Sequence, residues 1–280
     1  MSAVERLIQD AIDIHVHFSP DPRVERRADA IQVAQAAKEL GMRGLVLKSH
    51  EYPTLPVAST VSRIVPGIAL VGGVCLDVDV GGLNPYAIEA SDKMGAKVVW
   101  MPTFWSQADR RRRGLDGGIA VLDAQGRLLP EVYKVLELVK RYDMVLCTGH
   151  IAPKESLALV DEARNIGINR IVGTHASTIN RWMGMTVEDM KAMVKKGAFI
   201  EHCVHVMMPL TERMPPKELI EMMRAVGAEN CILSTDFGQV YSPIPPEGLR
   251  MGIATLLQSG LEEVEVGMMV KDNPGRLLGL

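Results

Sequence analysis

Two histidines separated by one residue, His15 and His17, follow an alternating apolar run in the segment AIDIHVHFSPDP. Side chains two residues apart on a strand project from the same face, so Asp13, His15 and His17 are predicted to point together. Two imidazoles on one face can bind a divalent ion, and a carboxylate beneath them can orient their rings. An isolated H-x-H pair is weak evidence for a metal site, so the rest of the chain must support it.

Other ionisable residues recur at the ends of apolar runs that are typical of buried strands. They are Lys48, His50, His150, His175, His202 and Asp236. Six of the seven histidines lie at such ends, and His205 lies just beyond one. The carboxyl ends of parallel strands in a barrel converge on one face, where catalytic groups gather. Several uncharged imidazoles in one dry layer would need many hydrogen-bond partners, which disfavours a purely structural role.

The elements that would position these residues form a regular alternation. Eight short runs rich in valine and isoleucine predict strands near 11–17, 44–50, 68–76, 96–103, 143–149, 169–175, 197–203 and 230–236. Helical patterns lie between most of them, and six of these end at a glycine: Gly41, Gly95, Gly167, Gly197, Gly227 and Gly260. Asn84 before Pro85 predicts a helix N-cap, and Thr186 with Asp189 predicts a capping box.

This alternation over 280 residues predicts an α/β fold: a single (β/α)8 TIM barrel whose one domain spans 1–280. A doubly wound open sheet is the alternative, which is disfavoured because neither G-x-G-x-x-G nor a P-loop follows the first strand. The one long irregular segment, residues 104–130, follows strand 4 and is predicted to be an insertion that covers the active site. Within it, IAVLDAQGRLL predicts a hairpin that turns between Asp123 and Gly126.

Composition excludes several classes of partner. The formal net charge of −3 argues against nucleic acid or an anionic membrane surface as a partner. Four cysteines lie in separate apolar runs, which is typical of free thiols in a reducing compartment. We expect no signal peptide and no membrane span, and hence a cytoplasmic protein that acts on a small molecule. Methionine pairs indicate either core packing or subunit contacts, so a homo-oligomer stays open.

As a set, these motifs resemble the amidohydrolase superfamily of metal-dependent hydrolases. The resemblance rests on His15 and His17 at the first strand, His150 in CTGHIAP, His175 in GTHAS and Asp236 in LSTDFG. The closing DNPGRLLGL is similar to the terminal helix of these enzymes. The segments VGGLNP and VVWMPT more narrowly resemble an uncharacterised amidohydrolase-like family of about this size.

The resemblance implies a metal site and its ligands. His15, His17 and Asp236 would bind one ion, and His150 and His175 would bind a second ion or the substrate. The implied cofactor is one or two divalent ions, with zinc expected and manganese, iron, cobalt or nickel as alternatives. Members with two metals carry a bridging carbamylated lysine or a glutamate at the end of strand 4, whereas this strand ends VVWMPTFW. Either one ion is bound, or Lys48, His50 or Glu51 after strand 2 supplies the missing ligands.

The implied reaction is hydrolysis of a small, anionic ester, lactone, amide or phosphate. Asp236 would accept and return a proton, while His175 or His150 would stabilise the developing oxyanion. Lys48 is the third catalytic candidate and could hold a carboxylate or phosphate, because a lysine at a barrel strand end is costly without a metal, carbamate or anion nearby. Arg23, Asn84, Arg181 and His202 are the candidate substrate-binding residues, although each arginine is as well explained as a solvated loop charge. Asp77 and Asp79 are either supports behind the site or turn formers.

Three alternatives remain. The first is a phosphoesterase like the polymerase and histidinol phosphatase family. The segment GLVLKSHE resembles a strand of that family, but TDFGQ lacks the further histidine that is usual there. A metal-dependent decarboxylase or lyase on the same barrel is the second, and a non-catalytic binding barrel is the third.

Overall fold

The computed structural model describes residues 1–178 and 184–280. Its strands are β1 (Ile12–Val16), β2 (Gly44–Leu47), β3 (Ala69–Cys75), β4 (Val98–Trp100), β5 (Val145–Cys147), β6 (Ile171–Gly173), β7 (Phe199–Cys203) and β8 (Cys231–Ser234). They form one sheet of 8 strands in sequence order, and the neighbours from β1 to β7 pair in parallel. A parallel bridge between Val16 and Phe237 returns the chain after β8 to β1. The predicted (β/α)8 barrel is confirmed.

Helices alternate with these strands. They are α1 (Ala3–Ile8), α2 (Ala30–Glu39), α3 (Leu55–Ile64), α4 (Pro85–Lys93), α5 (Gln107–Arg112), α6 (Pro130–Arg141), α7 (Pro153–Asn165), α8 (Val187–Lys195), α9 (Pro216–Val226), α10 (Pro245–Gln258), α11 (Glu263–Gly267) and α12 (Asn273–Leu278). The sequence patterns did not predict α3, which lies between β2 and β3. In the insertion at 104–130, α5 is followed by an antiparallel bridge between Leu122 and Leu128, so the predicted hairpin is confirmed.

The strands are shorter than the sequence predicts, so several polar residues lie in the turns that follow them, whereas His15 lies within β1 and His202 within β7. Lys48 comes directly after β2, and His175 and Asp236 each come two residues after β6 and β8. His175 has φ 55° and Asp236 has φ 56°, a left-handed conformation that cannot continue an extended ladder. Few residues other than glycine, asparagine or aspartate adopt it, and it concentrates at functional sites.

Local signals at the helix ends act as predicted. The Asn84 side chain accepts a hydrogen bond from the backbone N–H of Tyr86 at the start of α4, and Thr186 and Asp189 form a capping box at α8. The six glycines that were predicted to end helices all have positive φ.

Contacts divide the chain into two compact units. Unit 1 comprises 1–49, 54–72 and 202–280, and unit 2 comprises 50–53 and 73–201. That all 280 residues form one domain therefore stays a prediction. Among the described residues, none of the helices is long and apolar enough to cross a membrane.

Candidate metal centre and a second histidine cluster

Backbone hydrogen bonds in unit 1 bring the ends of β1, β2 and β8 together. The N–H of Asp236 donates to the carbonyl of His15 at 3.0 Å, and the N–H of His17 donates to the carbonyl of Phe237 at 2.8 Å. The N–H of Lys48 donates to the carbonyl of Val16 at 2.8 Å. The ladder therefore fixes which side chains lie next to one another.

Two imidazoles converge on a single carboxylate oxygen. Nε2 of His15 and Nε2 of His17 each lie 3.2 Å from Oδ1 of Asp236. The three side chains are buried, and their ligand atoms all lie within 4.8 Å of one another. A tetrahedral ion with bonds of about 2.0–2.1 Å separates its ligand atoms by about 3.3 Å, so this donor set fits a divalent metal. We call these three residues the His15 centre.

The buried carboxylate of Asp13 supports the centre through the backbone. Its Oδ1 accepts the N–H groups of His15 and Thr235, each at 3.1 Å, and its Oδ2 accepts the Thr235 hydroxyl at 2.5 Å. The sequence predicted a carboxylate beneath the histidines that orients their rings. These hydrogen bonds join Asp13 to the strand end and to the turn that carries Asp236, and its orienting effect on the imidazole rings stays a prediction.

Two further polar side chains flank the His15 centre. Nζ of Lys48 lies 3.0 Å from Nε2 of His15, and the lysine side chain is buried. Nδ1 of His205 lies 3.3 Å from Oδ2 of Asp236, and Nε2 of the same ring lies 3.5 Å from the Tyr241 hydroxyl. The carboxylate of Asp236 thus faces the two predicted ligands with one oxygen and His205 with the other.

A buried ion pair contacts His17 from the loop after β1. Arg26 Nη2 lies 2.6 Å from Asp21 Oδ2 and 3.3 Å from Nδ1 of His17. Burial lowers the pKa of His17 well below its usual value, and the charges of Arg26 and Lys48 lower it further, whereas Asp236 raises it. In the neutral ring, an Nδ1 that accepts from arginine leaves the proton on Nε2. Metal ligation through Nε2 therefore requires that proton to leave and Arg26 to release Nδ1.

Unit 2 contains a second group of histidines packed around an aromatic ring, which we call the His50 cluster. It comprises the three imidazoles of His50, His150 and His175 and the ring of Phe104. The ring centroids of His50 and His150 are 5.8 Å apart, and those of His150 and His175 are 5.1 Å apart. The Phe104 ring packs against His50 at 4.2 Å and against His150 at 5.5 Å. Within the described residues, groups of three or more ligand atoms within 4.8 Å of one another include neither His50 nor His150.

Backbone contacts fix the turns that carry these imidazoles. The N–H of His150 donates to the carbonyl of Pro102 at 2.9 Å. The N–H of His175 donates to Oε2 of Glu201 at 3.3 Å. Glu201 is buried in β7.

The remaining predicted substrate-binding residues occupy varied environments. His202 is fully buried in β7, whereas Arg23 is exposed in the loop after β1. Both polar ends of the Asn84 side chain bond local backbone groups, the carbonyl of Val80 and the N–H of Tyr86. The role that the structure gives Asn84 is that of an N-cap, and its role as a substrate ligand stays a prediction. Arg181 lies outside the described residues.

Several residues around these sites were not singled out from the sequence as site residues. Arg26 and Asp21 are in an irregular loop, and Thr103 is an ordinary polar residue after a strand. His205 lies in a short 3-10 helix (Val204–Met207), just past the predicted strand end, and proximity to His202 was its one available signal.

Comparisons with known proteins agree with this fold. The model of a family of unknown function, DUF6282, matches residues 10–201. No curated protein matches the sequence. An amidohydrolase from Pseudomonas aeruginosa is 12% identical with a TM-score of 0.66, and the alignment covers 99% of this chain and 98% of that chain.

Two further solved structures are similar over their full length. The probable dipeptidase PvdM from Pseudomonas aeruginosa is 12% identical with a TM-score of 0.69, covering 99% of this chain and 96% of that one. A probable 2-pyrone-4,6-dicarboxylic acid hydrolase from Acinetobacter baumannii, solved with citric acid bound, is 14% identical with a TM-score of 0.61, covering 97% and 100%. At these identities the likeness shows a shared barrel, and it agrees with the resemblance seen in the sequence.

Proposed function

This chain belongs to DUF6282, a family of unknown function, and we propose that it is a metal-dependent hydrolase of small, anionic molecules. The observation that carries the proposal is the convergence of Nε2 of His15 and of His17 on Oδ1 of Asp236. A buried carboxylate that faces two buried imidazoles at strand ends matches the donor set of a catalytic metal, which keeps fewer protein ligands than a structural one and so supports the proposal. The amidohydrolase-like barrels to which the chain is similar support the same interpretation.

A divalent ion held there supplies Lewis acidity, which activates water as a nucleophile and polarises the scissile carbonyl or phosphoryl group. The residues of the chain then handle the proton. Asp236 presents Oδ2 to Nδ1 of His205, and the other nitrogen of that ring faces the hydroxyl of Tyr241. When the Asp236 carboxylate takes a proton from water, the neighbouring imidazole of His205 would share that proton until the leaving group accepts it. His205 joins Asp236 in this role.

The proposed substrate is anionic because cations border the centre. Lys48 and Arg26 both lie within hydrogen-bond distance of its imidazoles. The Lys48 side chain is buried, so an anionic group beside its amine would interact strongly, whereas Asp21 already balances the charge of Arg26. The structurally similar protein with citric acid bound supports a carboxylate-bearing substrate. His150 and His175 stay proposed ligands of a second ion or of substrate, and zinc stays the expected metal.

Metal content and turnover test the proposal in that order. The purified protein is incubated with zinc, manganese, iron, cobalt or nickel, desalted, and analysed for bound metal. We expect about one or two ions per chain, and fewer in His17→Asn because that amide replaces a ligand nitrogen. No retained divalent ion under any of these conditions would contradict the metal centre.

Activity is then measured on a panel of esters, lactones, amides and phosphates that carry a carboxylate or phosphate. Asp236→Asn should lower turnover by about 10²-fold or more, whereas Asp116→Asn in an exposed loop should not. If wild type and Asp236→Asn both bind metal and neither turns over any compound of the panel, the result would favour the non-catalytic barrel. Release of CO₂ without uptake of water would favour the decarboxylase, and activity confined to phosphate esters would favour the phosphoesterase.

A further inference from the structure

A buried hydrogen-bonded chain in unit 2 leads from a carboxylate to the imidazole of His50. The carboxylate belongs to Asp77, and the link is the hydroxyl of Thr103; all three side chains are buried. Thr103 Oγ1 lies 2.7 Å from Nδ1 of His50 and makes a short hydrogen bond to Oδ2 of Asp77. Neither the metal centre nor the proposed hydrolysis accounts for this arrangement.

The position of each proton follows from counting donors. Oδ1 of Asp77 accepts the backbone N–H of Thr103 at 2.7 Å and of Trp105 at 3.1 Å. With the Thr103 hydroxyl also directed at Oδ2, the carboxylate receives three hydrogen bonds, which favours its ionised form. An ionised carboxylate can only accept, so the single hydroxyl proton of Thr103 goes to Asp77. The oxygen of Thr103 then has only lone pairs to offer His50.

Nδ1 of His50 must therefore be the donor. In a neutral imidazole the nitrogen that lacks the proton carries a lone pair, and here that nitrogen is Nε2. The opposite tautomer would require the Thr103 proton to leave the carboxylate and turn towards Nδ1. That change exchanges a charge-assisted hydrogen bond for a neutral one, which is roughly half as strong.

We propose that Asp77 and Thr103 are positioning residues that hold His50 as its Nδ1–H tautomer, so that the lone pair on Nε2 accepts a hydrogen bond from substrate. The Phe104 ring, tilted by 37° against His50 with centroids 4.2 Å apart, restricts rotation of the imidazole. A substrate hydroxyl or amide N–H would donate a hydrogen bond to Nε2, while Nδ1–H keeps its hydrogen bond to Oγ1 of Thr103. The role in turnover rests on the proposed function, whereas the tautomer does not.

Nitrogen NMR of the full-length protein reports the tautomer directly. With ¹⁵N-labelled histidine at about pH 8, where exposed imidazoles are neutral, two-bond proton–nitrogen correlations distinguish a protonated ring nitrogen from one with a lone pair. His50→Gln identifies the His50 signals by their disappearance. We expect a protonated-type Nδ1 and a lone-pair-type Nε2. A wild-type spectrum with the reverse pattern overturns the proposal whether or not any substrate is known.

Matched variants separate positioning from packing. Thr103→Ser keeps the hydroxyl and should keep the His50 signature, while Thr103→Val keeps the shape and should shift His50 towards a mixture of tautomers. On any substrate found, Thr103→Val should lower kcat by about 10-fold to 100-fold, and Thr103→Ser by less than about 3-fold. An unchanged signature in Thr103→Val would also overturn the proposal. If that variant does not fold, the Thr103→Ser and wild-type spectra still decide it. An inert protein with the expected tautomer would contradict the hydrolase and leave the positioning intact.

Discussion

The amine of Lys48 lies 3.0 Å from Nε2 of His15, and both side chains are buried. The same nitrogen faces Asp236 at 3.2 Å, so a cation and a carboxylate approach one imidazole atom. A donor aimed at Nε2 occupies the lone pair that a metal would use, and a positive charge nearby repels the ion. Lys48 and the metal therefore compete at His15 unless the lysine itself is converted into a ligand.

Removing this amine should strengthen metal binding. We expect Lys48→Met to lower the dissociation constant for zinc by about tenfold or more, because the variant loses both the competing donor and the repulsion. Isothermal titration of metal-depleted protein measures this, with Lys93→Met on exposed α4 surface as the control. Weaker binding in Lys48→Met would show the reverse relationship, that Lys48 is a ligand, as a carbamylated lysine would be.

The ion pair behind His17 should be strongly coupled. Arg26 and Asp21 are both about 3% exposed in their side chains, with Nη2 and Oδ2 2.6 Å apart. Removal of one partner leaves a buried, unpaired charge, so Arg26→Met should lower the unfolding free energy by about 3 kcal/mol. The double variant Arg26→Met with Asp21→Asn should lose less unfolding free energy than the sum of the two single variants. Urea denaturation of the four proteins gives the coupling, expected above about 1.5 kcal/mol.

A surface pair provides the comparison for that cycle. Arg250 and Glu247 form an exposed i,i+3 pair on α10, and their coupling should stay below about 0.5 kcal/mol. Equal coupling free energies for the buried and the exposed pair would mean that burial does not strengthen the interaction between Arg26 and Asp21.

The sequence was sufficient to predict the barrel and to put His15, His17 and Asp236 at strand ends, because both follow from periodic patterns; that they bind a metal stays a prediction. Alternation of apolar runs indicates strands, and i, i+2 spacing puts His15 and His17 on one face. Asp236 could be assigned because it ends the eighth run. The strands end earlier than predicted because apolar composition continues into turns whose backbone has already left the ladder, as at His175 and Asp236.

Residues outside those patterns could not be assigned. Arg26 reaches His17 from an irregular loop, and Thr103 contacts Asp77 across 26 residues of sequence. No periodicity connects such pairs, since loop conformation depends on tertiary packing. Asn84 shows the converse: its spacing indicates an N-cap as well as a binding residue, and the structure shows the N-cap while the binding role stays a prediction.

A buried carboxylate in the insertion should make stability depend on pH. Burial, reinforced by Asp77, raises the pKa of Asp109 from 3.8 to about 6, although Arg113 and Arg112 act in the opposite direction. Between those values the folded state binds more protons than the unfolded state, so stability falls as pH rises through this range and stays lowered above it. Asp109→Asn removes the charge and should raise the unfolding free energy at about pH 7.5 by about 2 kcal/mol.

Urea denaturation from about pH 4 to about pH 8 tests this expectation, because the pH dependence should flatten in Asp109→Asn. Asp116→Asn, an exposed position in the same insertion, should retain the dependence of the wild type. A lower stability of Asp109→Asn at neutral pH would mean that the carboxylate is needed in its charged form.

The turn that carries His150 depends on a glycine for two separable reasons. Gly149 has φ +63°, and a Cβ there would lie 2.2 Å from the carbonyl oxygen of Met101, whereas Gly114 has φ +70° with nothing within 4 Å. Gly114→Ala should therefore lower the unfolding free energy by about 1 kcal/mol, which is the cost of the left-handed conformation alone. Gly149→Ala adds a backbone clash and should lower it by about 3 kcal/mol or more. The clash should also displace His150, so its ring signals should change in the histidine NMR spectrum. Equal losses of stability in the two variants by urea denaturation would mean that the close approach to Met101 does not constrain the turn.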